Sequence, residues 1–134
     1  DRGRIIVPAK MREGLGQELV ITKGLDSCLF LYSAAGWEEI AARLQKLSLT
    51  SADARAFSRL FLAGAMDVEL DKQKRALVPP VLREYAGLQR DIVIIGVGTR
   101  VEVWDRDKWR EYSEKSAAEY EAIAEKIAGF DTVF

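Results

Sequence analysis

Two clusters of cations, DRGR at the start of the chain and DKQKR at residues 71–75, each lie in a tight turn, and each closes on an arginine that opens an apolar run. Arginine at the end of a rigid two-stranded ribbon suits the major groove of duplex DNA, where a guanidinium meets guanine O6 and N7 while nearby lysines meet phosphates. A single basic turn is better explained by surface solubility. Recurrence in a fixed frame is harder to explain that way, because solubility does not require the same phrase twice.

The phrases recur within a longer unit. RIIVPAKMREGLG, Arg4 to Gly16, returns as RALVPPVLREYAG, Arg75 to Gly87. Arg4, Val7, Pro8, Arg12 and Gly16 match Arg75, Val78, Pro79, Arg83 and Gly87 at a spacing of 71. After one inserted residue, Gly24, Leu29, Leu31, Tyr32 and Trp37 match Gly96, Val101, Val103, Trp104 and Trp109 at a spacing of 72. Two copies of this length are a tandem duplication, not a solenoid, which needs at least three.

Local patterns assign the elements. In each unit a short apolar run ends at Pro8 or Pro79, which cannot donate in a ladder but can open a helix. Those helices close at Gly16 and Gly87, where a left-handed cap favours glycine. LVIT with CLFLY, and DIVIIGVG with RVEVW, read as strand pairs separated by turn residues. In the last of these, Val101, Val103 and Asp105 alternate with Arg100, Glu102 and Trp104, which predicts one covered and one wetter face. Amphipathic helices follow, with Trp37, Ile40, Ala41, Leu44 and Leu47 on one stripe and Trp109, Tyr112, Ser116, Tyr120, Ile123 and Ile127 on the other. Both stripes read as core or subunit contact. Between the copies, Thr50-Ser51-Ala52-Asp53 starts a connecting helix that stops at Gly64.

The predicted fold class is α+β, two tandem β-β-α-β-β-α units with connecting and C-terminal helices. The expected divisions are residues 1–49, 50–64, 65–112 and 113–134. MDVELD supplies a leading strand before the second basic turn, and about ten further residues before Asp1 are expected to supply the equivalent strand of the first unit.

Composition narrows the function. The 134 residues carry 20 Lys+Arg against 21 Asp+Glu, a near-neutral total that hides an uneven distribution. Residues 1–12 set Arg2, Arg4, Lys10 and Arg12 against Asp1, and residues 71–83 set Lys72, Lys74, Arg75 and Arg83 against Asp71. From Glu111 onward, six acids face Lys115 and Lys126. Binding to a polyanion follows the local patch, so the low net charge is no objection to it.

The chain has no histidine and one cysteine, Cys28 in the apolar phrase CLFLY, so the usual zinc and iron–sulfur patterns and an internal disulfide are excluded. No Gly-x-Ser-x-Gly, Walker or kinase phrase is present. GVGT at Gly96 to Thr99 reads as a hairpin turn. Asp67, Glu69 and Asp71 alternate along a strand and read as a solvated face; a metal-assisted hydrolase built on them is the weakest hypothesis. No apolar run reaches bilayer-spanning length. The expectation is a cytoplasmic protein with no cofactor, metal, membrane or small-molecule substrate. The alternative to DNA binding is an oligomeric protein-interaction scaffold that uses the same turns on acidic partners.

GRIIVPAKMR, KGLDSCLFLY, LTSADARAF, ELDKQKRALVPPVLREYAGL and VIIGVGTRVEVWDRDKW resemble the MraZ family over nearly the whole chain, from Asp1 to about Tyr112. The resemblance implies two AbrB/SpoVT-like units pairing as a pseudo-twofold swapped-hairpin barrel, with several chains closing into a ring. It also implies a bacterial, nucleoid-associated regulator that reads direct repeats in double-stranded DNA upstream of its own gene, at the head of the division and cell-wall cluster.

The family's Asp-x-x-x-Arg motif falls on Asp71 and Arg75, with Arg4 in the arginine place of the first copy. On this basis Arg4 and Arg75 are expected to read bases, and Arg2, Lys72 and Lys74 to meet phosphates. Lys10 and Arg12 are weaker candidates, and Asp71 orients the turn or its arginine. Arg12 and Arg83, at matching places after the prolines, are open to either DNA contact or pairing with a carboxylate. Lys74 stands where the family has glycine, as at Gly3; it is expected either to alter the turn or to add a phosphate contact.

Overall fold

The computed structural model describes residues 3–133; Asp1, Arg2 and Phe134, and with them the expected role of Arg2, lie outside the described residues. The first phrase forms β1 (Arg4–Ile6) and α1 (Ala9–Leu15), the second β5 (Arg75–Leu77) and α4 (Pro80–Ala86), with Pro8 and Pro79 at the helix N-caps. Gly87 takes the left-handed cap at φ 62, ψ 33, whereas Gly16 has φ 80 with an extended ψ of −168.

The strand pairs follow as β2 (Glu18–Lys23) with β3 (Leu29–Ser33), and β6 (Ile92–Val97) with β7 (Arg100–Asp105). GVGT is the tight turn joining β6 to β7, with Gly98 at φ 60. Helix α2 (Ala34–Leu44) starts at Ser33, whose hydroxyl accepts from Gly36 N, and α5 (Arg106–Ala118) starts at Asp105, whose carboxylate accepts from Lys108 N. The connecting helix α3 (Ala52–Ala63) is capped by Ser51, and β4 (Met66–Glu69) leads into the second basic turn. The chain ends in α6 (Tyr120–Lys126) and a short 3-10 turn (Phe130–Thr132).

The strands assemble as an antiparallel β1–β5 ribbon and a five-stranded sheet in the order β4-β2-β3-β7-β6. Both junctions between the units are nearly self-symmetric. In the ribbon Arg4 faces Leu77, Ile5 faces Ala76 and Ile6 faces Arg75. In the sheet Leu29 faces Val103, Phe30 faces Glu102 and Leu31 faces Val101. Matching positions of the duplication therefore exchange places about Ile5–Ala76 and Phe30–Glu102, which marks a pseudo-twofold axis.

The ladder corrects the sequence alignment in one place. Ile21 pairs with Leu31 and Ile94 with Val103, so β2 and β6 correspond at a spacing of 73. Lys23, not Gly24, is the counterpart of Gly96. Two residues enter between helix and strand in the second unit, and one is lost from its hairpin.

Two apolar clusters cover opposite faces of the sheet. Leu29, Leu31, Val101 and Val103 point into the first with Val7, Val78, Leu19, Ile21 and Leu82. Phe30, Tyr32 and Trp104 point into the second, where Phe61, Trp37, Ile40, Leu44 and Trp109 close over them. The wetter face expected of β7 does not exist: Val101 through Asp105 are all buried. Helices pack on that side, and Glu102 is accommodated because Arg100 Nη2 lies 2.8 Å from it and Trp104 Nε1 donates to it at 3.0 Å. A buried carboxylate needs such partners.

The two predicted helical stripes differ in outcome. Trp37, Ile40, Leu44 and Trp109 pack inward, while Leu47, Tyr120, Ile123 and Ile127 are exposed. Cys28 is fully buried and its thiol is pushed up to about 12, first by burial and then by the Glu102 and Asp26 charges, so it stays an unreactive thiol.

Candidate nucleic-acid interface

The β1–β5 ribbon alternates as strands do. Ile5 and Ala76 point into the core, while Arg4, Ile6, Arg75 and Leu77 lie on its outer face. Val7 N donates to Lys74 O and Val78 N donates to Gly3 O, so each turn is stitched to the opposite strand. The duplication thus delivers Arg4 and Arg75 to one surface, from positions far apart in the chain.

Asp71 organises the second turn. Its Oδ1 accepts from Gln73 N at 2.8 Å and from Arg75 N at 2.9 Å, and its Oδ2 accepts from Arg75 Nε at 2.9 Å. The Arg75 backbone N–H above all, with the Arg75 side-chain bond and the Gln73 N–H adding to it, holds the Asp71 carboxyl below its ordinary value despite an opposing push from desolvation. With Nε engaged, the guanidinium's other edge is clear of carboxylates among the described residues. The Arg75 side chain is 33% exposed, and Arg4 is exposed. Neither is enclosed by the fold.

Lys72 and Lys74 are exposed at the turn. Lys74 adopts φ 63 and Gly3 adopts φ 80, so the lysine does not alter the handedness of the turn; it takes up the left-handed conformation itself. Asp71 engages Arg75 in the turn instead of joining Asp67 and Glu69, and among the described residues no three ligating side chains cluster.

The helices supply the remaining cations. Lys10 is exposed on α1. Arg12 Nη1 donates to Val7 O at 3.1 Å, tying α1 to the ribbon. Arg83, its counterpart, packs under Gly3: a Cβ there would lie 2.6 Å from Arg83 Nη1. Arg83 Nε is buried with no hydrogen-bond partner among the described residues. Neither arginine pairs with a carboxylate among the described residues.

Sequence reasoning did not single out Ile6 and Leu77, which are 66% and 50% exposed on the same outer face. The available signal was strict alternation: each lies two residues after its turn arginine, so it shares that arginine's face.

Among the described residues no helix is long and apolar enough to cross a membrane. The family profile described as "MraZ protein, putative antitoxin-like" matches the chain twice, over residues 1–60 and 61–131. A protein of Moorella thermoacetica named transcriptional regulator MraZ is 53% identical over 131 residues, covering 98% of this chain and 92% of that protein. One of the same name from Acetivibrio thermocellus is 56% identical over 127 residues, covering 95% and 89%. These relatives are named as regulators and not as enzymes. With both halves matched and more than half of the residues shared with such relatives, the chain belongs to the MraZ family.

Proposed function

We propose that this protein is a bacterial transcriptional regulator that binds double-stranded DNA through the outer face of the β1–β5 ribbon. One observation carries the reading: two duplicated arginine turns converge on one exposed, symmetric ribbon. Arg4 and Arg75 read base edges from there, while Lys72, Lys74 and Arg2 meet phosphates and Lys10 adds a weaker contact. Asp71 holds Arg75 in register.

The pairing of β1 with β5 across the two units, and of β4 with β2, supports a swapped-hairpin barrel arrangement built on one chain. One ribbon offers a small footprint. Several chains in a ring would present ribbons to successive direct repeats and raise avidity without new contacts. The regulator then acts in the cytoplasm on the nucleoid, at repeats upstream of its own gene.

The test is a binding titration on duplex DNA from upstream of the native gene, beside a scrambled duplex, at low and moderate salt. The native duplex should bind more tightly, with a steep loss as salt rises. Arg4→Ala and Arg75→Ala should each cost about 1–3 kcal/mol of binding and relax discrimination. Equal affinity for both duplexes, or full binding by the double variant, would remove the reading. Capture of an acidic protein with no duplex bound at low salt would favour the scaffold instead.

A further inference from the structure

We infer that Ile6 and Leu77 are specificity residues of this surface, packing against thymine C5-methyl groups between the two arginines. The inference rests on the DNA-binding reading above and adds to it a means of distinguishing sequences.

The ribbon geometry places the four side chains as one unit. Val7–Lys74 and Val78–Gly3 are hydrogen-bonded pairs, so by alternation Arg4–Leu77 and Ile6–Arg75 are non-hydrogen-bonded pairs, the kind in which facing side chains come closest. Each apolar side chain therefore stands beside the arginine of the other unit. The pseudo-twofold axis through Ile5–Ala76 makes the patch a diagonal of two cations and two hydrocarbons.

The exposure is a property of the position. Ile6 is 66% exposed and Leu77 50% exposed, although the second unit has both its turn and its leading strand β4. An isolated exposed leucine needs no explanation, but a duplicated one locked beside a cation on the functional face does.

Charge decides the occupant. The flanking guanidiniums draw in a polyanion, and the apolar feature of the major-groove edge is the thymine methyl. A surface of two arginines and two aliphatic groups matches base pairs in which guanine and thymine lie close together.

The experiment compares the upstream duplex with the same duplex carrying deoxyuridine for every thymidine, which removes only the methyls. Wild-type protein should bind the uracil duplex more weakly, by roughly four-fold per contacted methyl, the change expected for one methyl-sized group. In the Ile6→Ser/Leu77→Ser double variant that difference should vanish, while salt dependence and thermal midpoint stay near wild type. An equal uracil penalty in both proteins would assign the effect to DNA deformability, and no penalty in either would show that the methyls are not read; both overturn the inference. So would a double variant that loses its oligomeric state in sedimentation with discrimination unchanged, since the patch would then be a subunit contact. Tight, arginine-dependent binding without the uracil effect would leave the DNA-binding reading intact, whereas absence of any duplex binding would remove both.

Discussion

The two halves of the molecule derive from one repeated sequence, yet their strands β2 and β6 end in different surroundings. The outer edge of β2 is covered by β4, with Leu19 facing Val68 and Ile21 facing Met66. The outer edge of β6 has no strand partner among the described residues, and Ile92, Val93, Ile94 and Ile95 are only half-buried. A groove lined by Gly3, Arg4, Ile6, Arg83, Ile92 and Ile94 runs along it. Burial of a strand is thus a property of the sheet around it and not of the strand's own residues.

Amide hydrogen exchange gives the largest expected difference. Leu70 N donates to Gln17 O, so by alternation the Leu19 and Ile21 amides point at β4. Arg106 N donates to Asp91 O, which turns the amides of Ile92 and Ile94 away from β7 toward the open edge. In a protein of residues 1–134 alone, the Ile92 and Ile94 amides should exchange on the order of a hundredfold faster than those of Leu19 and Ile21. Equal protection would show that β6 is covered in solution.

The turns provide a reciprocal pair of substitutions. Gly3→Lys places a side chain at φ 80 and drives a Cβ into the Arg83 guanidinium, so it should cost about 2 kcal/mol in urea unfolding. Lys74→Gly relieves the left-handed lysine at φ 63 and should gain about 0.5–1 kcal/mol, while reducing the salt slope of DNA binding by about one cation. A destabilising Lys74→Gly would mean that the lysine makes compensating contacts at the turn.

Acid gives the smallest effect. Because Asp71 is held below its ordinary value of 3.8, its contribution is fully present above that pH and is lost as pH falls through the lower folded value. The Gln73 and Arg75 amide resonances should follow that titration, and those of Ile5 and Ala76, in the ladder beyond the turn, should not. Movement of all four together would mean that the turn and ribbon open as one unit.

Much of this was legible in the residues. The proline-broken phrases, Ser51 at the start of α3 and the turn at Gly98 all follow from local dihedral limits and turn chemistry. The misreading of β7 has a physical origin. Arg100, Glu102 and Trp104 look amphipathic, but a charged residue can be buried once a guanidinium and an indole N–H satisfy it, and both partners come from β7 itself. The one-residue error at Gly24 arose because identity of glycines outweighed the ladder register, which depends on contacts across the sheet.

The sequence by itself determined the duplication, the order of strands and helices, and the cations at both turns, since these depend on backbone preferences within a few residues. The tertiary structure alone decided that β1 pairs with β5, that β4 crosses to β2, and that Ile6 and Leu77 join the arginines on one surface. Such pairings join segments between 45 and 73 residues apart, and they are selected by the burial of both sheet faces together, a quantity that no local stretch contains.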